Sequence, residues 1–214
     1  MEVKNKEIYW SKFAKKFEEK QSFVSGEKII KITKKELSKE KNLGEALEIG
    51  CGTGLYTETL KNNAKYVTAT DFSKEMVDSA KKLRGNFKNV KYEMADSMNL
   101  KFKGKSFDTV VMANLLHIVK DPEKVIKESN RVLKNKGKII ITHFAIDELS
   151  FINKIKMSLR FLKYFGKPPQ GIKKITKKNV ETMLEDEGFE IVQSKILGDE
   201  MKSVYFVGIK NKLK

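Results

Sequence analysis

With 214 residues, 40% of them hydrophobic and 9% aromatic, the chain is long enough to bury one substantial core, with room for a small cap. A single cysteine, Cys51, excludes an internal disulfide framework. No run approaches the ~18 apolar residues of a membrane span, and the Met-Glu-Val-Lys-Asn-Lys-Glu opening lacks the apolar core of a signal peptide, so the expected location is cytoplasmic. The formal charge of +16 would draw polyanions, yet only Arg84, Arg131 and Arg160 carry a guanidinium and the lysines are spread through every segment; a solvated basic surface is expected, not a nucleic-acid interface.

Residues 5–20 set Ile8, Tyr9, Trp10, Phe13, Ala14 and Phe17 among lysines and glutamates at the spacing of one apolar helical face. Residues 27–40 make a second amphipathic helix with Ile29, Ile30, Ile32 and Leu37. Gly44 opens a first strand through Ile49, and Leu55–Leu60 begins the first crossover helix. Tyr66–Asp71, rich in β-branched residues, is the second strand; Ser73 then caps a helix that turns Met76, Val77, Ala80 and Leu83 inward. A third strand spans about Val90–Ala95, and the fourth, Phe107–Ala113, is apolar on both faces and therefore central.

Asp121-Pro122 caps a helix carrying Val125, Ile126, Val132 and Leu133; Lys136-Gly137 ends it, and Lys138–Phe144 forms the fifth strand. After a helix at about 176–187, strands beginning at Gly188 and Met201 are separated only by the stretch around Leu197–Glu200, so they should pair as an antiparallel hairpin. Strands alternating with helices predict a parallel sheet with right-handed crossovers.

Chemistry concentrates at residues 46–54, Ala-Leu-Glu-Ile-Gly-Cys-Gly-Thr-Gly. An apolar strand carrying Glu48 breaks into three alternating glycines, Gly50, Gly52 and Gly54, which permit positive φ and a close approach of backbone to ligand. A dinucleotide fingerprint would need its last glycine at position 55, which is Leu, and no Lys-Ser/Thr follows at phosphate-loop spacing. A glycine-rich turn that binds nothing is the bland alternative. Asp71 ends the second strand about 20 residues past the first glycine, where a carboxylate accepts hydrogen bonds from ribose hydroxyls; its other reading is a helix cap.

Glu-x-Gly-x-Gly-x-Gly with Asp71 and the acidic stretch Glu93–Met98 resembles the class I S-adenosylmethionine-dependent methyltransferases, over 44–144 by motif and 176–210 by element order. The opening Tyr9-Trp10-Ser-Lys-Phe-Ala-Lys-Lys-Phe17 resembles the Trp-x-x-x-Ala-x-x-Tyr start of small-molecule enzymes of the quinone-biosynthesis type, with Phe17 where Tyr is usual. The resemblance implies an α/β, Rossmann-like three-layer sandwich with a mostly parallel seven-stranded sheet ending in an antiparallel hairpin. It implies one methyltransferase domain: a helical cap at 1–42, a cofactor-binding core at 43–145, a helical lid insert at 146–172 and the C-terminal helix and hairpin at 173–214.

In that family the cofactor is S-adenosyl-L-methionine and the product S-adenosyl-L-homocysteine. The resemblance gives Asp71 the ribose, and gives the Glu48, Gly50, Cys51, Gly52 and Gly54 loop the methionine end. Phe72 and Met76 flank adenine, Asp96 meets its exocyclic amine with Ser97 and Met98 at the ring, and the backbone near Asn114 lies beside the methionine moiety. His117, just past strand four, is the candidate general base, with a structural histidine as the other reading; His143 is expected to be structural or a pocket wall, and Cys51 a spacer. Two histidines and one cysteine form no spaced ligand cluster, so no metal is expected.

The segment 148–165 carries the stripe Leu149, Ile152, Ile155, Leu159 and Leu162, aromatic neighbours, and Lys154, Lys156, Arg160 and Lys163 at polar positions, before Pro168-Pro169 turns the chain back. It reads as a substrate lid, as an ordinary packed amphipathic helix, or as a helix that also touches a membrane surface. The lid reading implies a small apolar or aromatic methyl acceptor. Methylation of RNA or protein, and a cofactor-binding module without catalysis, are the alternatives.

Overall fold

A computed structural model describes residues 9–211. Its order is a 3-10 turn at Ala14–Lys16, α1 (Phe17–Ser25), α2 (Glu27–Leu37), β1 (Gly44–Ile49), α3 (Thr57–Leu60), β2 (Ala64–Asp71), α4 (Lys74–Arg84) and β3 (Val90–Met94). There follow β4 (Phe107–Ala113), α5 (Pro122–Val132), β5 (Leu133–Phe144), a 3-10 turn at Ile146–Glu148, α6 (Phe151–Phe165), α7 (Lys177–Asp186), β6 (Phe189–Leu197) and β7 (Ser203–Lys210).

The seven strands form one sheet in the order β3-β2-β1-β4-β5-β7-β6. The first five run parallel; β7 lies antiparallel between β5 and β6, so the expected C-terminal hairpin supplies one edge. Alternation along each strand feeds two cores. Leu47, Ile49, Val110, Met112 and Ile139 meet Val125, Ile126, Val180 and Leu184 of α5 and α7 on one face. Ala46, Val67, Ala69, Val111 and Ile140 meet Leu37, Val77 and Ala80 of α2 and α4 on the other. Burial on both sides explains why β4 reads as an apolar run.

Local chemistry sets the boundaries. Ser73 Oγ accepts from Met76 N at the start of α4, and Asp121 Oδ1 accepts from Lys124 N, 3.0 Å away, ahead of Pro122 at the start of α5. Thr176 and Asn179 close a capping box on α7.

Four sequence expectations shift. The apolar face at 5–20 is not one continuous helix over its described part: turns at Lys12 and Phe13 and the 3-10 turn precede α1, and Ile8 lies outside the described residues. The first crossover helix shrinks to α3, because residues 50–56 are spent on the glycine loop and its turn. Helix α5 stops at Val132, five residues before the Gly137 that the sequence suggested as its end, because Leu133 already pairs with Phe107. Leu83 is exposed, because the buried face of α4 is made by Met76, Val77, Ala80 and Arg84.

Candidate active site

Strand order reverses at β1, whose successor β2 lies on one side and β4 on the other, and the crevice at the carboxyl ends of these strands is where an open α/β sheet receives a ligand. The glycine loop fills the end of β1. Gly50 N and Cys51 N both donate to Thr70 O at 2.8 Å, folding the chain sharply back on β2. Gly50 and Gly52 have φ of 73° and 54°, a region costly for other residues. A Cβ on Gly50 would also lie 2.8 Å from Leu115 Cδ1, so any side chain there would have to displace Leu115 in the segment after β4.

Asp71, at the end of β2, is tied to this loop. Its Oδ2 accepts from Gly52 N at 2.8 Å and its Oδ1 from Ser73 N at 2.9 Å. Burial pushes its pKa up, while the backbone N–H groups of Ser73, Gly52 and Phe72 oppose that shift. Asp96 Oδ1 accepts from Met98 N at 2.8 Å, curling the chain after β3 toward the same crevice. Asn114 holds φ 55° and receives Phe144 N on its Oδ1 at 3.1 Å, joining the ends of β4 and β5.

These ends line a cavity of about 640 Å³. Gly50, Cys51, Gly52, Asp71, Phe72, Met76, Asp96, Ser97, Met98, Asn114 and His117 all face it. Two expected cofactor residues do not. Glu48 is 1% exposed and accepts the hydroxyl of Thr57 behind the loop, and Gly54 packs against Arg84 and Tyr92. Alternation is the reason for Glu48: its neighbour Ile49 is the β1 residue that reaches the cavity, which turns Glu48 to the opposite face. Without a cation in contact, burial raises its pKa from 4.5 to about 8.

The far wall comes from the N-terminal segment and α6. Trp10, Phe17, Phe161 and Phe165 face the cavity and pack edge to face or tilted, with Trp10–Phe165 centroids 5.6 Å apart. Tyr9 Oη donates to Phe165 O at 3.0 Å and Lys20 Nζ to Tyr164 O at 2.6 Å, fastening the two segments together. Glu18 of α1 accepts from Arg84 Nη1 and Nη2 at 2.7 and 3.1 Å and from Thr53 Oγ1 at 2.7 Å, which fastens α1 to the glycine loop.

Comparison with known proteins decides the family. Residues 47–141 match the model of the family described as "Methyltransferase domain". The uncharacterized protein MJ1123 of Methanocaldococcus jannaschii is 32% identical over 186 residues, covering 87% of this chain and 81% of that one. The chain belongs to the class I S-adenosylmethionine-dependent methyltransferases.

The methyltransferase is also 33% identical to the demethylmenaquinone methyltransferase of Staphylococcus aureus over 59% of its length and 55% of the relative's. In fold it matches a solved methyltransferase of Thermotoga maritima, described as a possible histamine N-methyltransferase, with a TM-score of 0.72 at 22% identity over 95% of this chain and 99% of that one. Its cofactor is S-adenosylmethionine.

The methyltransferase's own atoms fit that cofactor. Asp71 retains acceptor capacity beyond its backbone donors, since an ionised carboxylate offers about four lone-pair sites. Gly52 presents backbone without a Cβ at the cavity wall.

His143 does not line the cavity: its Nδ1 sits 2.9 Å from Phe144 O and burial lowers its pKa, as suits a structural residue. Burial drives the Cys51 thiol pKa well up, which disfavours the thiolate. Among the described residues no group of His, Cys, Asp and Glu could hold a metal ion. Tyr56 escaped sequence reasoning; it lines the cavity, hydrogen-bonds Asn114, and burial lifts its pKa to about 12. The Glu18–Arg84 link escaped it too, because 66 residues separate the partners and no motif marks either.

Proposed function

We propose that this methyltransferase transfers a methyl group to a small apolar or aromatic acceptor, with residues 146–172 and the N-terminal segment serving as its lid. One observation carries the reading. The cavity that holds Asp71, Asp96 and the glycine loop on one side is walled on the other by Trp10, Phe17, Phe161 and Phe165, so an acceptor placed beside the cofactor meets aromatic surface. The quinone-type relative is consistent with this, since its name gives it an aromatic acceptor.

When bound, S-adenosylmethionine supplies a methyl group already activated on a positively charged sulfur. The protein's part is to bind, align and exclude water, effects that together can supply ~7–11 kcal/mol of a barrier. In this reading Asp71 fixes the ribose and Asp96 with Met98 fixes the adenine end. Asn114 sets the loop after β4, on which His117 follows; the His117 carbonyl accepts from Lys173 N at 2.8 Å, so the loop is held by the segment that follows α6. His117 lines the cavity, and in this reading its imidazole takes the acceptor's proton as methyl transfer proceeds.

Calorimetry with S-adenosylhomocysteine tests the cofactor half. Asp71→Ala should weaken binding at least a hundredfold, as loss of charge-assisted bonds worth ~1.5–3 kcal/mol each implies. Turnover over a panel of hydroquinones, phenols and polar amines tests the acceptor half. Preference for the polar amines overturns it.

A further inference from the structure

Helix α6 has two working faces, and the cavity uses only one of them. At about 100° per residue, Met157, Phe161 and Phe165 point to the cavity. Phe151, Leu162, Ile155, Leu159 and Ile152 fall within about 100° of the remaining arc. All five are exposed, Phe151 by 76%, Ile152 by 63% and Leu159 by 62%. A 15-residue helix that has a core to pack against would not ordinarily leave five large apolar side chains in water.

Two further features say what this face meets. Lys163, Lys156 and Arg160 occupy the next ~80° of the helix surface, as one border of the apolar stripe, and the helix contains no acidic residue. Long cationic stems beside an apolar stripe are the arrangement by which a helix lies in a lipid interface, apolar side chains down and ammonium groups at the phosphates. The stripe also runs into the cavity. Leu162 belongs to both, and Ile146 and Ile172 line the cavity while remaining exposed at its rim.

We infer that α6 docks this methyltransferase on a lipid surface bearing anionic headgroups, with Phe151, Ile155 and Leu159 inserted and Lys156 and Lys163 at the phosphates. No helix among the described residues is long and apolar enough to cross a membrane, so the contact is interfacial. Docking brings the mouth at Leu162, Ile146 and Ile172 to the surface in which an apolar acceptor dissolves. That purpose rests on the acceptor class proposed above; the docking itself rests on the helix.

Cosedimentation with vesicles of phosphatidylcholine alone, and of phosphatidylcholine with an equal part of phosphatidylglycerol, separates the outcomes. The full chain should sediment with the mixed vesicles and much less with the neutral ones. Lys156→Gln with Lys163→Gln should lower the partition coefficient about twenty-fivefold, each cation near an anionic surface contributing about fivefold. Ile155→Ser with Leu159→Ser should lower it at least as far. S-adenosylhomocysteine binding should stay unchanged in both double variants, since none of these four residues lines the cavity.

Absence of vesicle binding while the product still binds overturns docking and leaves the proposed function standing. Binding that ignores Ile155→Ser with Leu159→Ser overturns it as mere attraction of a basic chain. A dimer in solution that Leu159→Ser dissociates overturns it by assigning the face to a second copy. Loss of product binding by the unaltered chain strikes the proposed function instead.

Discussion

Replacing Glu48 by glutamine should remove a decline in stability that the wild-type protein undergoes as pH rises from about 5 to 8. The side chain is 1% exposed and accepts a hydrogen bond from Thr57; desolvation outweighs that bond, and Asp71 adds repulsion. Its carboxyl therefore titrates at about 8 in the folded chain, against 4.5 for an unperturbed group. Between those values the folded state holds a proton that the unfolded chain has released. Stability then falls by about 1.4 kcal/mol per pH unit, reaching about 4 kcal/mol near pH 8 and levelling above it.

Such a loss is a sizeable part of the ~5–15 kcal/mol that holds a domain together. Glu48→Gln keeps the acceptor for Thr57 and stays neutral at every pH. Urea unfolding of both proteins from pH 5 to 8 gives a difference in which all other titrating groups cancel. The difference should grow with pH in favour of the variant. Product affinity should not change at neutral pH, because Glu48 lies behind the cavity wall. Parallel stability curves would refute the reasoning by showing that the carboxylate ionises at its ordinary pKa inside the protein.

Glu18→Ala takes the two-pronged carboxylate from the nearly buried Arg84 guanidinium, leaving it Thr53 O and the more distant Glu58, and should cost about 2 kcal/mol in urea unfolding; it should also weaken product binding, since the Thr53 hydroxyl of the glycine loop loses its brace. His117→Gln should lower turnover about a hundredfold while product affinity measured by calorimetry stays the same; equal turnover removes the base role. Phe206→Ala, at a fully buried position in β7, should cost about 4 kcal/mol in thermal or urea unfolding, and a cost below 1 kcal/mol would mean that this face of the sheet is loosely packed.

Much of the sheet can be read from the sequence because its signals are local. β1 and β4 begin and end at the residues that the apolar runs suggest, and Ser73 and Asp121 cap the helices they precede. The misses fall where a boundary depends on distant partners. Nothing local in Val132-Leu133 says that the helix must stop there; Leu133 leaves it because Phe107, far back in the chain, offers a strand partner. The break before α1 is of the same kind, since Phe13 and Phe17 turn to meet Phe165 of a helix nearly 150 residues later.

The site divides along the same line. Gly50, Gly52, Asp71 and Asp96 reach the cavity because each stands at a strand end or in the turn just beyond it, and a short motif on a strand end has little freedom in where it points. Glu48 belongs to the same motif and yet faces away, because a strand sends successive side chains to opposite faces and Ile49 already takes the cavity side. For α6 the stripe at 148–165 was visible, but periodicity alone cannot tell a face that packs from a face left in water. That distinction needs to know that Trp10, Phe13 and Phe17 already pack on Phe161 and Phe165 along one side of the helix, and only the folded chain puts them there.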